Sequence, residues 1–142
     1  TEAEFANGHV HGATHQNSEV ILDDTPGEGW ARDYLAALQK DGKETLVVHC
    51  MYSQARGPAV ANKLVHIAAE GPAPNLNIVL LNGGFHKFMN TVWSEDGTNT
   101  EGILQGVQKA KWRRTATHGF VEEDAVQALE QLGLEADKKA AT

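Results

Sequence analysis

Hydrophobic and polar positions divide this chain into short apolar runs and helical stripes. Thr45-Leu46-Val47-Val48 is a continuous apolar run that reads as a short buried strand ending at His49. Val60, Ala61, Leu64, Val65 and Ala68 then recur at helical spacing and predict a helix from about 57 to 70. Gly71-Pro72-Ala73-Pro74 stops it. Asn77–Leu81 reads as the next buried strand, and Phe85, Phe88, Met89, Val92 and Trp93 share one face of a short helix. Upstream, Trp30, Ala31, Tyr34, Leu35 and Leu38 predict an amphipathic helix of about 12 residues, closed by Asp41-Gly42-Lys43. Residues 16–29 read as a loop holding a short strand at Val20–Leu22.

The remainder is less patterned. Residues 94–100 read as a linker. Glu101–Lys111 reads as a helix weakened by Gly102 and Gly106. Val121, Ala125, Val126, Leu129 and Leu132 predict a helix from about 121 to 132, and Glu135–Thr142 a frayed tail. Strand, helix, strand, helix over residues 45–93 implies a parallel sheet covered on both faces.

The chemistry concentrates where the first strand meets its helix. His49-Cys50-Met51-Tyr52-Ser53-Gln54-Ala55-Arg56-Gly57-Pro58 holds the one cysteine of the chain, followed after five residues by an arginine. A tight loop between strand and helix can turn its amides inward as an anion nest. The helix N-terminus adds positive potential, and the Arg56 guanidinium can grip two oxygens at once. The same dipoles stabilise a thiolate, which would make Cys50 a nucleophile needing no separate base. Ser53 is placed to donate to the sulfur, and His49 to tune the thiolate or act as a buried hydrogen-bonding residue. Cys50 and Arg56 are thus the expected catalytic pair, with Met51, Tyr52, Ser53, Gln54, Ala55 and Gly57 as the oxyanion-binding loop and His49 in support.

This loop resembles that of the rhodanese-fold arsenate reductases and cell-cycle-type dual-specificity phosphatases. Phe5-Ala6-Asn7-Gly8-His9-Val10-His11-Gly12-Ala13-Thr14-His15 is similar to the family's N-terminal F-x-x-G-H-I-x-G-A-x-H signature. Leu80-Leu81-Asn82-Gly83-Gly84-Phe85-His86-Lys87-Phe88 is similar to its L-x-G-G-F-x-x-F segment. The resemblance covers residues 1 to about 93 and implies an α/β fold of three α/β/α layers around a central parallel sheet. The family's first strand precedes the Gly-His-Val segment, so the chain as given is expected to lack it. Residues 1–93 are expected to form the rhodanese-like catalytic domain, and residues 94–142 a C-terminal helical extension packed on it.

The phosphatase branch carries acids just after the Cys and just before the Arg, where this chain has Met51 and Ala55. Ser53-Gln54 before Ala-Arg-Gly-Pro is closer to the reductase branch. The resemblance therefore implies a thiol-dependent reductase of arsenate, with antimonate a further substrate. With a single cysteine, the second thiol must come from glutathione or a glutaredoxin. The alternative is a tyrosine or dual-specificity phosphatase working through a phosphocysteine, with Glu95 or Asp96 as its acid. Thiosulfate sulfurtransfer and a non-catalytic rhodanese-like module rank below both.

Composition bounds these readings. The 142 residues fit one domain, at 41% hydrophobic and 22% charged. No apolar run approaches a membrane span, no secretory leader is recognisable, and the net charge of −7 opposes general nucleic-acid binding. A thiolate enzyme needs a reducing compartment, so the cytoplasm is expected. The expected partners are a small oxyanion (arsenate, phosphate or a phosphoester) and glutathione or glutaredoxin, with no bound cofactor, nucleic acid or membrane. His9, His11 and His15 read as ordinary polar histidines rather than a metal cluster. Lys109, Lys111, Arg113 and Arg114 around Trp112 read as a solvated helix end rather than a docking patch.

Overall fold

A computed structural model describes residues 1–93 and 102–126. Its elements run α1 (Glu2–Ala6), β1 (His9–Val10), α2 (Ser18–Leu22), α3 (Thr25–Lys40), β2 (Thr45–Val48), α4 (Arg56–Ala69), β3 (Asn77–Leu80), α5 (Gly84–Val92), β4 (Leu104–Gln105), β5 (Trp112–Thr115) and β6 (Gly119–Glu122). β2 and β3 pair in parallel, Thr45 opposite Asn77 and Val48 opposite Leu80. They form a β2–α4–β3 crossover, and the site loop leaves the carboxyl end of β2, where open α/β sheets bind ligands. The parallel sheet and α/β character match the expectation from the apolar runs.

One core joins α2, α3 and α4 to the sheet. Ile21, Ala31, Leu35, Val60, Leu64 and Ile67 are buried, with Leu46, Val48 and Ile78 of the strands packed against them. Val47 and Val79 alternate to the opposite face and are 52% and 36% exposed. A second core holds Met51, Phe85, Met89, Leu104 and Trp112. It binds the site loop to α5 and to the later strands.

Three segments differ from the sequence reading. Residues 18–22 are helical, not extended, because the Asn17 side chain accepts from Glu19 N at 2.9 Å and caps the turn. Capping there outweighs the β-preference of Val20 and Ile21. α3 is 16 residues long, since Pro26 opens it a turn earlier than the apolar stripe suggests. Residues 102–122 form no α-helix, only a 3-10 turn at Lys109–Lys111. Gly102, Gly106 and Gly119 take positive φ of 83°, 67° and 64°, which suits turns between strands. Trp112 pairs with Glu122 and Thr115 with Gly119 in an antiparallel hairpin. The expected helix from 121 begins at 123, after Val121 and Glu122 complete β6. Its continuation, the linker at 94–100 and the tail lie outside the described residues. Over its described part the extension is thus mostly strand, β4 pairing with β1 and β5 with β6, before that helix begins. It is held to α5 by Asn90, which donates to Phe120 O at 3.0 Å and accepts from Phe120 N at 2.7 Å. Among the described residues no helix is long and apolar enough to cross a membrane.

Candidate active site

The site is built from backbone first. α5 begins directly beneath the loop: Phe85 N donates to Cys50 O at 3.0 Å and His86 N to Met51 O at 2.8 Å. Those bonds aim the loop's carbonyls away from the sulfur and leave its N–H groups facing it. Gly84 makes this approach feasible. Its φ is +62°, and a Cβ there would stand 2.6 Å from both Cys50 O and Met51 O. Gly84→Ala should therefore cost about 2–4 kcal/mol, combining left-handed strain with displacement of the loop. Thermal denaturation measures the loss, and an unchanged melting temperature would contradict this reading of the contact.

Cys50 sits at the loop's entrance, partly buried, and its Sγ accepts from Gly57 N at 3.2 Å. Burial alone would push the thiol up. The N–H groups of Gly57, Ser53 and Tyr52, with the charge of Arg56, outweigh it and hold Cys50 below the ordinary thiol range. Gly57 packs closely, since a Cβ would meet Leu80 Cδ1 at 3.1 Å and Cys50 N at 3.3 Å. Ser53 occupies φ +52°. Its Oγ is buried without a hydrogen-bond partner, an arrangement a bound oxygen atom would satisfy. Met51 turns inward to the second core. Tyr52 is partly exposed, with its ring centroid 5.1 Å from that of His86. Gln54 and Ala55 are exposed on the loop's outer side. His49 Nδ1 lies 3.2 Å from Cys50 O, so it steadies the loop through backbone rather than through the sulfur.

Arg56 is the first residue of α4 and does not stand alone. Its two terminal nitrogens donate to the two carboxylate oxygens of Glu4, at 2.7 and 3.1 Å. Burial opposes ionisation of Glu4. The Arg56 guanidinium, with the amino group and hydroxyl of Thr1, prevails and lowers its pKa to about 2. Glu4 raises the pKa of Arg56 in turn. The fork is thus held flat at the loop mouth, with donors left over for a second oxyanion. Sequence reasoning missed Glu4. It lies 52 positions from Arg56, and its one signal was adjacency to Phe5 in the Phe-x-x-Gly-His segment.

That segment forms a wall of the site. The Phe5 and His9 rings stack at 3.7 Å, and His9 Nδ1 lies 2.9 Å from Phe5 O. A cleft of about 800 Å³ runs from Cys50 and Arg56 past Phe5, His9 and Phe85 to the outer edge of β2. Among the described residues no three His, Cys, Asp or Glu side chains are grouped to hold a metal ion. The basic cluster resolves differently from its sequence reading. Trp112 is core, 7% exposed, and donates its indole N–H to Asn7 O at 2.9 Å. Arg113 pairs with Glu123 at 3.4 Å, and Arg114 lies over the Phe120 ring.

Glu122, at the end of β6, has an Oε1 that is buried without a hydrogen-bond partner. Burial, then the charges of Glu4 and Asp124, push its pKa up. Its charge is felt at Tyr52 and Arg56. Glu95 and Asp96, the acids suggested by sequence, lie outside the described residues.

Comparison with known proteins follows the same outline. Residues 1–91 match the family described as the rhodanese-like domain. A CDC25-like phosphatase of Saccharomyces cerevisiae, YCH1, is 27% identical over 104 residues, covering 72% of this chain and 70% of the relative. The solved structure of Ygr203w, a yeast protein tyrosine phosphatase of the rhodanese family, superposes with a TM-score of 0.62 at 26% identity. That match covers 75% of this chain and 72% of the other. An As-Sb reductase from Leishmania major superposes with a TM-score of 0.55 at 16% identity, covering 91% and 79%. At that identity it shows a shared fold.

Proposed function

Because this chain belongs to the rhodanese-like domain family, we propose that it is a cysteine-based enzyme acting on tetrahedral oxyanions, with arsenate as its substrate. Antimonate is the further substrate of the same chemistry. The observation that carries the reading is Cys50 Sγ held by the Gly57 N–H beside Arg56, at the mouth of an open cleft. Cys50 attacks arsenic, an As–O bond breaks, and the departing oxygen leaves as water after taking a proton. An external thiol then attacks the sulfur of the thiol–arsenate adduct. Arsenic leaves as arsenite with two electrons, and Cys50 is left in a mixed disulfide. A second thiol frees Cys50 and carries the oxidation away as a disulfide. The chain has one cysteine, so both electrons come from outside. Glutathione, alone or with glutaredoxin, is the proposed donor, and a reducing compartment such as the cytoplasm the proposed setting.

The second reading is a phosphatase with the same nucleophile. It is favoured by the yeast matches, named as phosphatases at 26–27% identity. NADPH oxidation, coupled through glutathione, glutaredoxin and glutathione reductase, tests the first reading. Arsenate should drive it in wild type. Thiol oxidation that ignores arsenate, alongside Cys50-dependent phosphate release from aryl phosphates, would establish the second reading instead.

A further inference from the structure

We propose that the cleft along the free edge of β2 is a docking groove for an extended peptide segment of a protein thiol donor, which pairs with that edge and brings its cysteine to Cys50. This rests on the reading of Cys50 as the nucleophile of a thiol-dependent reductase, and it names the form the reductant takes.

The edge comes first. Among the described residues β2 has one neighbour, β3. Glu44 O and Val48 O accept from Asn77 N and Leu81 N, both at 2.9 Å, so the even-numbered positions turn their backbone groups to β3. Alternation turns the N–H and C=O of Thr45 and Val47 the other way. No backbone or side-chain partner meets them there among the described residues. An unpaired edge is a template for another extended chain. This one is walled: Leu46, Val47, Val48 and His49 line the same cleft as Cys50 and Arg56.

Length decides which thiol fits. Thr45 to Cys50 is five steps of about 3.3 Å, roughly 17 Å in all, and the lining continues to Lys43 and Leu38. Glutathione has three residues, at most about 11 Å end to end, with its thiol on the middle one. It covers only the Cys50 end. A segment of five or six residues covers the whole edge.

The lining suits a peptide. The Trp30 and Tyr34 rings stack at 4.9 Å and, with Leu38, offer an apolar seat for one side chain. His15 Nε2 is buried in the cleft wall without a hydrogen-bond partner, and a peptide N–H or carbonyl would satisfy it. Lys43, at the amino end of β2, makes no ion pair among the described residues. An acidic residue about five positions from the peptide's cysteine has its partner there.

The step balances as follows. The peptide thiolate, its proton lost to solvent, attacks Cys50 Sγ of the thiol–arsenate adduct. An S–S bond forms, the S–As bond breaks, and its electron pair leaves with arsenic, which passes from As(V) to As(III) as arsenite. Cys50 is left in a disulfide with the peptide. Glutathione then attacks the peptide sulfur, forms a disulfide with it and releases Cys50 as thiolate.

The test compares thiol donors in arsenate-dependent thiol oxidation. One is glutathione. The other is an eleven-residue peptide with a central cysteine, glutamate at each end, and threonine and valine between. Per thiolate, the peptide should exceed glutathione in kcat/KM by about 30-fold, and trimming it to three residues should return it to the glutathione level. N-methylation at alternate residues separates edge pairing from other binding, since one alternate set of N–H groups faces β2 and the other does not. Methylating the facing set should cost about tenfold and the other set little. Lys43→Glu, an exposed change, should lower the peptide's kcat/KM about threefold and leave glutathione unchanged. A peptide ending in lysine should restore it. Equal losses from the two methylated sets, or no gain with length, overturn the groove while leaving Cys50 chemistry standing. That result would assign the edge to residues 13–17 of this chain instead. If neither thiol supports Cys50-dependent arsenate reduction, the reductase reading fails and the thiol dock with it.

Discussion

Cys50→Ser is expected to lower arsenate-dependent thiol oxidation, and any phosphatase turnover, by at least about 10⁴-fold, the scale on which removing a covalent nucleophile acts. A serine hydroxyl keeps its proton at neutral pH, and the dipoles of the loop cannot turn it into an alkoxide as they turn a thiol into a thiolate. The change is nearly isosteric, and Gly57 N retains an acceptor, so the melting temperature should move little. The wild-type pH profile supplies a second reading. Activity requires the thiolate, so it should fall as pH drops through the Cys50 pKa. That pKa is held below the ordinary thiol value by the loop amides and Arg56, so the acid limb belongs below the ordinary thiol range. Iodoacetamide alkylation against pH locates it independently. An alkylation midpoint at or above an ordinary thiol value would refute the electrostatic account of the loop.

The parts of the molecule written in local sequence were legible in advance. The run Thr45–Val48, the Cys50 loop and the stripe beginning at Val60 are contiguous, and each is defined by its own neighbours, so strand, loop and helix α4 fall where the pattern puts them. Gly84 was visible as part of a glycine pair, though its purpose, clearance for Cys50 O and Met51 O, emerges only in three dimensions. The partners of the loop were not legible. Glu4 reaches Arg56 across 52 positions, and Trp112, which meets the Phe85 ring, comes from a hairpin lying between the two helices that periodicity predicted. There Val121 opens the expected helical stripe, but Gly119 at positive φ and the pairing of Trp112 with Glu122 put it in a strand, and the helix begins only at 123. Val121 is 1% exposed because the hairpin packs on α5, a tertiary preference that local propensity does not contain.

Arg56→Ala carries the second large effect, and its size follows from the two bonds Arg56 makes. Losing a bidentate donor to a dianionic oxyanion should reduce kcat/KM by about 10³-fold, on the scale of removing a positioned charge that stabilises the transition state. KM should rise as kcat falls, because the guanidinium serves both binding and attack. Arg56→Lys should recover only part of this, since a point charge cannot reproduce the fork. Stability responds through Glu4. Its pKa, about 2 in the fold against 4.5 ordinarily, is depressed, so the contribution is present above about pH 4.5 and is lost as pH falls towards 2. The side chains are 35% and 27% exposed, so solvent screening limits the contribution to about 1–2 kcal/mol. Arg56→Ala should therefore lower the melting temperature at pH 7 and flatten its decline between pH 4.5 and 2. Adding Glu4→Gln to Arg56→Ala should restore much of the stability, by removing a half-buried charge without a partner, and none of the activity. Recovery of turnover in that double variant would place the essential charge elsewhere than on Arg56.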